Sequence, residues 1–414
     1  MHGASFALTV VFIAGLTTSA IADTTVSIAD VQESTVARAL WDRIAKDYEA
    51  EHKGVAVQFK YIEGESYKEK LPTMLQSDSR PALVYSWGGG VMDAQNQAGF
   101  LKDITAEAAP FEENLARTAV NAFKVDGKTV GVPFDTGLVA FYYNKDLFKK
   151  AGVNAEAIKT WDDFLGAVKA LKAAGITPII NGGGDKWPMH FYYSYLIMRI
   201  GGENALADAK AGKNGGFKNS TFVEAGKRLR DLAALEPFQP GYLATKYGEA
   251  AGMFGDGKGA MQLMFELLPV MQGPSSTNGK GLPEDDIGIF PFPIVPGGKG
   301  KATDTIHGFL VTKSAPPEAV DFLKFFSQEK YAKEAAASGG YIPIYKGTAT
   351  AITDPLFRQI ADILSQTTYH QNFLDQDLGP SVGRVINDVS VSVAEGKITP
   401  EAAAAAIQEA ADQQ

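Results

Sequence analysis

The chain of 414 residues contains no cysteine. That excludes disulfides, thiolate metal sites, a cysteine nucleophile and a lipid anchor on a cysteine behind a leader. Basic residues are outnumbered: 39 Lys and Arg face 48 Asp and Glu, for a formal net charge of −9. A nucleic-acid binder needs a basic footprint for the phosphates, so this balance argues against one. No run of Lys and Arg stands ready for an anionic membrane surface. The five His residues are scattered at positions 2, 52, 190, 307 and 370. Neither His-Glu-x-x-His nor Gly-x-Ser-x-Gly occurs. Gly252-x4-Gly257-Lys258 approaches a phosphate-binding loop, but Gly259 stands where Ser or Thr would ligate magnesium, and no strand precedes it. It reads as a helix end and turn. Nothing in the sequence asks for a metal or a cofactor.

What is present is ordinary for a soluble globular protein: 45% hydrophobic and 21% charged residues, with length for two or three domains. The beginning differs in kind. Residues 6–21 carry no Asp, Glu, Lys or Arg, and Ala20-Ile21-Ala22 precedes Asp23. Small residues at −3 and −1 of a short apolar stretch are what signal peptidase accepts, so residues 1–22 read as a signal peptide cleaved after Ala22. The segment is short for a membrane span. It departs from the usual pattern in having only His2 in place of a basic start, and a buried N-terminal helix is the other reading. An exported, unlipidated chain would diffuse away from a cell with one membrane, which points to a periplasm.

Apolar periodicity then alternates between strand and helix. Residues 26–29 read as a buried strand and 35–48 as a helix, with an apolar stripe at Val36, Leu40, Ile44 and Tyr48. Residues 55–61 alternate as a strand, 67–75 are helical, and 82–85 form an apolar run into Ser86-Trp87-Gly88-Gly89-Gly90. Such alternation predicts a parallel sheet with helices on both faces and ligands beyond the carboxyl ends of the strands. A hairpin is expected around Asp126-Gly127, and a second α/β run from 139. Thr160 with Asp163 predicts a capped helix start, and residues 177–180 a strand into Asn181-Gly182-Gly183-Gly184. Helices are expected at 189–200, 221–234 and 245–254, and strands at 260–264, 287–289 and 309–312. The final helix is marked by Thr399 and Pro400. No internal repeat and no low-complexity linker appears, so two lobes would have to be joined by several chain crossings.

Aromatic, acid and amide residues recur at the expected loop tips: Gln32 and Glu33, Trp87 beside Gly88, Asp135, Trp187, His190, Phe265 and Glu266, and Tyr341. Sugars present apolar C–H faces and a rim of hydroxyls, which rings and bidentate carboxylates or amides match. An isolated aromatic is more often core, and Asp135 also fits a simple cap of the Thr136-Gly137 turn. The triple glycines fit close backbone approach better than a phosphate cradle.

At this point several segments resemble a known family. They are Trp87 before three glycines, Val132-Pro133-Phe134-Asp135, Tyr142-Tyr143-Asn144-Lys145-Asp146-Leu147-Phe148, Thr160-Trp161-Asp162-Asp163-Phe164, Gly259-Ala260-Met261 and Gly340-Tyr341-Ile342-Pro343. They look like the family 1 extracellular solute-binding proteins of ABC sugar importers, distantly similar to maltose-binding protein, over nearly the whole chain. The resemblance implies a periplasmic-binding-protein type α/β fold: two α/β lobes, a hinge crossed three times and a ligand cleft between them. It places 24–134 plus 301–350 in an N-terminal lobe and 135–300 plus 351–414 in a C-terminal lobe. The crossings then fall at Phe134-Asp135, near Ala302-Thr303 and after Pro343.

It further implies a monomeric, non-enzymatic binder of a small sugar that delivers its ligand to the membrane permease subunits. The site residues it implies are Gln32, Glu33, Trp87, Gly88, Asp135, Trp187, His190, Phe265, Glu266, His307, Gly340 and Tyr341. Phe265-Glu266-Leu267 falls where many relatives have Trp-Glu-Leu. Leu378 falls at the C-terminal aromatic platform of maltodextrin binders and has no ring, which favours a mono- or disaccharide over a long glucan. An exported glycosidase, or a binder of another solute such as a polyamine, are the alternatives; Glu33, Asp135, Glu266 and Asp377 keep the latter open.

Overall fold

The computed structural model describes residues 23–32, 34–299, 303–367 and 369–414. The leader and Glu33 lie outside the described residues, as does Ala302 at the second expected crossing. The chain opens with strand β1 (Thr24–Asp30), helix α1 (Thr35–Glu51) and strand β2 (Val55–Tyr61). The side-chain oxygen of Ser34 accepts from the Ala37 N–H and starts α1. Leu40, Trp41, Ile44 and Tyr48 bury one face of it at helical spacing. Val36, counted in that stripe from the sequence, is 40% exposed, and Ala37 takes the core position instead. Helix α2 (Gly64–Gln76) and strand β3 (Leu83–Ser86) follow, then helix α3 (Gly89–Gln97). Strands β1, β2 and β3 pair in parallel, as the alternation predicted.

The second half departs from that expectation. Strand β4 (Gly131–Gly137) runs on through Leu138 and Val139 into strand β5 (Ala140–Asn144). Helices α4 (Trp161–Ala173) and α5 (Trp187–Gly201) precede strands β6 (Met261–Met264) and β7 (Ile287–Pro291). Sheet β6–β5–β7 is antiparallel throughout, not the parallel sheet read from sequence. The reason is separation: more than a hundred residues of helix and loop lie between β5 and β6, so no short right-handed crossover dictates direction. Residues 177–180 make no regular strand. Ile179 forms isolated bridges to Phe238 and Met261 and stays at the sheet's margin. The Thr160 cap is present as a reciprocal box with Asp163, whose carboxylate accepts from the Thr160 N–H at 2.8 Å.

Two hydrophobic cores result. One gathers buried residues from Val26 to Phe134 and from Ile306 to Ile344. The other runs from Leu138 to Val295 and from Ile352 to Ile407, joined by Ala336 and Ile342. Three segments cross between them side by side. Strand β8 (Thr303–Val311) pairs antiparallel with β4, from Gly131 opposite Leu310 to Gly137 opposite Thr305. Pro343 bridges Asp135, and the Thr136 N–H donates to the Ile342 carbonyl at 2.9 Å. The β4–β8 register breaks between His307 and Gly308, where Phe134 is skipped. Such a bulge re-aims neighbouring side chains. Phe134 turns into the first core while Asp135 faces the gap between the lobes. Helix α6 (Leu374–Asp377), helix α7 (Gly379–Ala394) and helix α8 (Pro400–Asp412) close the second lobe, with Thr399 capping α8.

Candidate functional site

A cavity lies between the two cores, above the crossing strands, with about 730 Å³ of empty space counting its open mouth. Asp135 and His307 reach its floor from β4 and β8. Both are buried, and the Asp135 Oδ1 accepts from the His307 main-chain N–H at 3.2 Å and meets the ring Nδ1 at 2.9 Å. Burial alone would lower the basicity of His307, but the Asp135 carboxylate, with help from Glu266, outweighs it and raises the pKa.

Glu266 follows β6 and lies on the same floor, 1% exposed. Its carboxylate rests against Gly137: a Cβ there would stand 1.9 Å from Oε2, so a larger residue would push the carboxylate aside. Oε2 has no hydrogen-bond partner among the described residues. Burial pushes the Glu266 pKa up to about 7, with His307 pulling it down and Asp135 pushing it further up. Donor atoms of Asp135, Glu266 and His307 all lie within 4.8 Å of one another. A divalent cation accepts such a set of oxygens and one imidazole. Equally, the floor offers carboxylate oxygens to hydroxyl groups.

The walls are aromatic. Trp87, after β3, packs edge-on to Tyr85 at 4.9 Å between ring centres. Trp187, at the start of α5, stacks against Phe265 at 6.1 Å and tilts on Tyr247 at 5.1 Å. Between these two walls stands Lys68 of α2, its Nζ 5.3 Å from the Trp87 ring centre and 5.6 Å from that of Trp187. The same ammonium lies 3.0 Å from Glu65 and 3.7 Å from Asp375 of the other lobe. Burial would raise the Asp375 pKa, but Lys68 and His190 overcome it and lower the value.

The sequence pattern of the family described as "Bacterial extracellular solute-binding protein" matches residues 33–333. The chain belongs to that family. The multiple sugar-binding protein of Streptococcus mutans is 25% identical over 344 residues, which cover 81% of this chain and 78% of that protein. A solved chitin oligosaccharide binding protein is 26% identical with a TM-score of 0.82, over 94% of this chain and 98% of that one. A structure from work on xylan utilisation by Caldanaerobius polysaccharolyticus reaches a TM-score of 0.84 at 23% identity, over 93% and 99% of the two chains, and speaks for the fold. This solute-binding protein is thus a binder and not an enzyme. Among its described residues no helix is long and apolar enough to cross a membrane.

The solute-binding protein brings most of the sequence candidates together. Gln32, Trp87, Asp135, Trp187, His190, Phe265, Glu266 and His307 all line the cavity. Asp135 lies inside strand β4, not in a turn. Gly88, Gly340 and Tyr341 are elsewhere. The Tyr341 ring is packed in the first core against Phe134 at 5.6 Å and Trp41 at 6.1 Å. Gly340 faces the backbone of Ala37, and a Cβ on Gly88 would stand 3.1 Å from the Ala122 carbonyl oxygen. Their motif marks the third crossing and a tight turn, and neither position reaches the cavity. Leu378 is buried in the second core, but Phe373, five residues earlier, supplies a ring to the cavity. Sequence reasoning also missed Glu65, Lys68, Tyr247, Asp375 and Gln376. Lys68 carries no signal of its own in a polar helix. It follows Gly64 by one turn, and that spacing puts both on the face that meets the cavity.

Proposed function

We propose that this protein is the periplasmic, monomeric receptor of an ABC importer, that it captures a mono- or disaccharide or a short oligosaccharide, and that it hands the sugar to the membrane permease. The observation that carries the reading is the placing of Trp87 and Trp187, one from each lobe, as facing walls over a floor of carboxylates. Rings match the C–H faces of a sugar, and Asp135, Glu266 and Gln32 match its hydroxyls. Lys68 adds a donor between the walls. The printed names of the relatives, a multiple sugar-binding protein and a chitin oligosaccharide binding protein, support the same class of ligand. The division into 24–134 with 301–350 and 135–300 with 351–414 is supported by the two separate cores.

A melting-temperature screen against sugars and polyamines tests the class of ligand, because a solute that binds only the folded state raises the midpoint. With a sugar found, Trp87→Ala weakens binding by about tenfold or more, since a ring on a ligand face contributes on the order of 1 kcal/mol beyond its burial. Trp187→Ala does the same, with some loss of melting temperature because Trp187 is more deeply packed. Calorimetry reads both. Normal affinity in either variant would make that tryptophan a packing residue, and a screen in which polyamines alone shift the midpoint would replace the sugar.

A further inference from the structure

The lobes also meet at a second place, and there they meet backbone to backbone. The first-lobe partner is the start of α3, whose Met92 belongs to the first core. The second-lobe partner is the α6–α7 junction, whose Leu374, Leu378 and Val382 belong to the second core. A Cβ on Gly89 would stand 2.8 Å from the Asp377 Cα and 2.8 Å from the Asn372 Nδ2. A Cβ on Gly90 would stand 2.6 Å from the Asp377 carbonyl oxygen and 2.8 Å from the Gly379 nitrogen. The Asn372 amide also donates to the Trp87 carbonyl across the same seam.

Turn geometry explains only part of this. Gly88 and Gly89 each have φ near 70°, the left-handed region that favours glycine. Gly90 is not among the positive-φ residues and sits inside a helix, where alanine is the better helix former. Its three nearest atoms all belong to Asp377 and Gly379. The missing side chain at Gly90 is thus accounted for by the other lobe.

We infer that Gly89 and Gly90 form a closure seat, a side-chain-free contact that sets how far the lobes approach and so how tightly the cavity holds its solute. This rests on the reading of the protein as a binder that closes on a solute by hinge motion. A side chain at Gly90 holds the lobes apart without touching the cavity walls. Solute still enters the open form at the usual rate, and it leaves sooner because the sealed form is less populated.

The test uses the full chain with Gly90→Ala and Gly90→Val, and Gly166→Ala of α4 as a control, since a Cβ at Gly166 meets nothing within 4 Å. N,N′-diacetylchitobiose, xylobiose and D-galactose serve as probes, read by solution scattering, calorimetry and stopped-flow. The expected result is compaction of the parent and of Gly166→Ala with the probe that binds. Gly90→Val stays extended at saturation, with affinity at least tenfold lower and the loss confined to the off-rate. Gly90→Ala, which fits the helix and keeps the fold testable, shows a smaller change in the same direction. If Gly90→Val binds and compacts like the parent, the seat is overturned while the binding reading stands. If the parent neither binds nor compacts with any probe, the reading beneath the seat fails and the seat falls with it.

Discussion

Asp135→Ala is expected to lower stability by about 3–5 kcal/mol at neutral pH, the range for breaking a buried ion pair by removing one partner. Asp135 and His307 are both nearly inaccessible and share a 2.9 Å contact. Removal of the carboxylate takes away the larger of the two charges that raise the His307 pKa and leaves only Glu266 against desolvation, so the pKa falls. Asp135→Asn retains the shape and part of the hydrogen bonding, so its loss is smaller. In both variants sugar binding weakens by about 1.5–3 kcal/mol where a hydroxyl had bonded to the charged group. Urea denaturation measures the first effect, the NMR titration of His307 the second and calorimetry the third. An Asp135→Ala protein with unchanged stability and a His307 that still titrates above its ordinary range would refute the buried pair.

The second large effect is on pH dependence. Glu266 has a pKa pushed up to about 7 and Asp30, buried at the end of β1, one pushed up to about 8, both chiefly by desolvation. A carboxyl whose folded pKa lies above its unfolded value holds its proton more tightly in the folded state. Stability therefore declines as pH rises from the unfolded value, near 4, through the folded one. His307 acts in the same direction: its raised pKa means that the pair with Asp135 contributes fully below about pH 6.5 and less as pH rises through the folded value. Stability should thus fall between pH 5 and pH 9. Glu266→Gln should regain about 3 kcal/mol at pH 9, at 1.36 kcal/mol for each unit of the shift, and little at pH 5. Denaturant midpoints at three pH values decide it: a parent that gains stability with pH, or a Gln variant no better than the parent at pH 9, would contradict a buried, uncompensated Glu266.

These two predictions show where reading from sequence stops. The helix face of α1, the strands β1 and β2 and the Thr160 and Thr399 caps follow from local spacing, because each depends on neighbours within a few positions. The motifs from Trp87 to Pro343 were sufficient for the family and for two lobes without a linker. The direction of β6 and β7 was not legible, since strand direction depends on the path of the long helical excursion between them. Nor was the side of each lobe to which a ring would turn. Tyr341 and Trp187 look alike in sequence, each next to glycine-rich turns, yet one packs in the first core and the other walls the cavity. Asp135 meets His307 across 172 positions because the β4–β8 bulge sets their register. Lys68 meets Asp375, and Gly90 meets Asp377, only where the two lobes face each other. Local periodicity determines which face of an element is apolar, but which charges and rings share one cavity is decided by contacts between residues hundreds of positions apart, and those exist only once the lobes are packed.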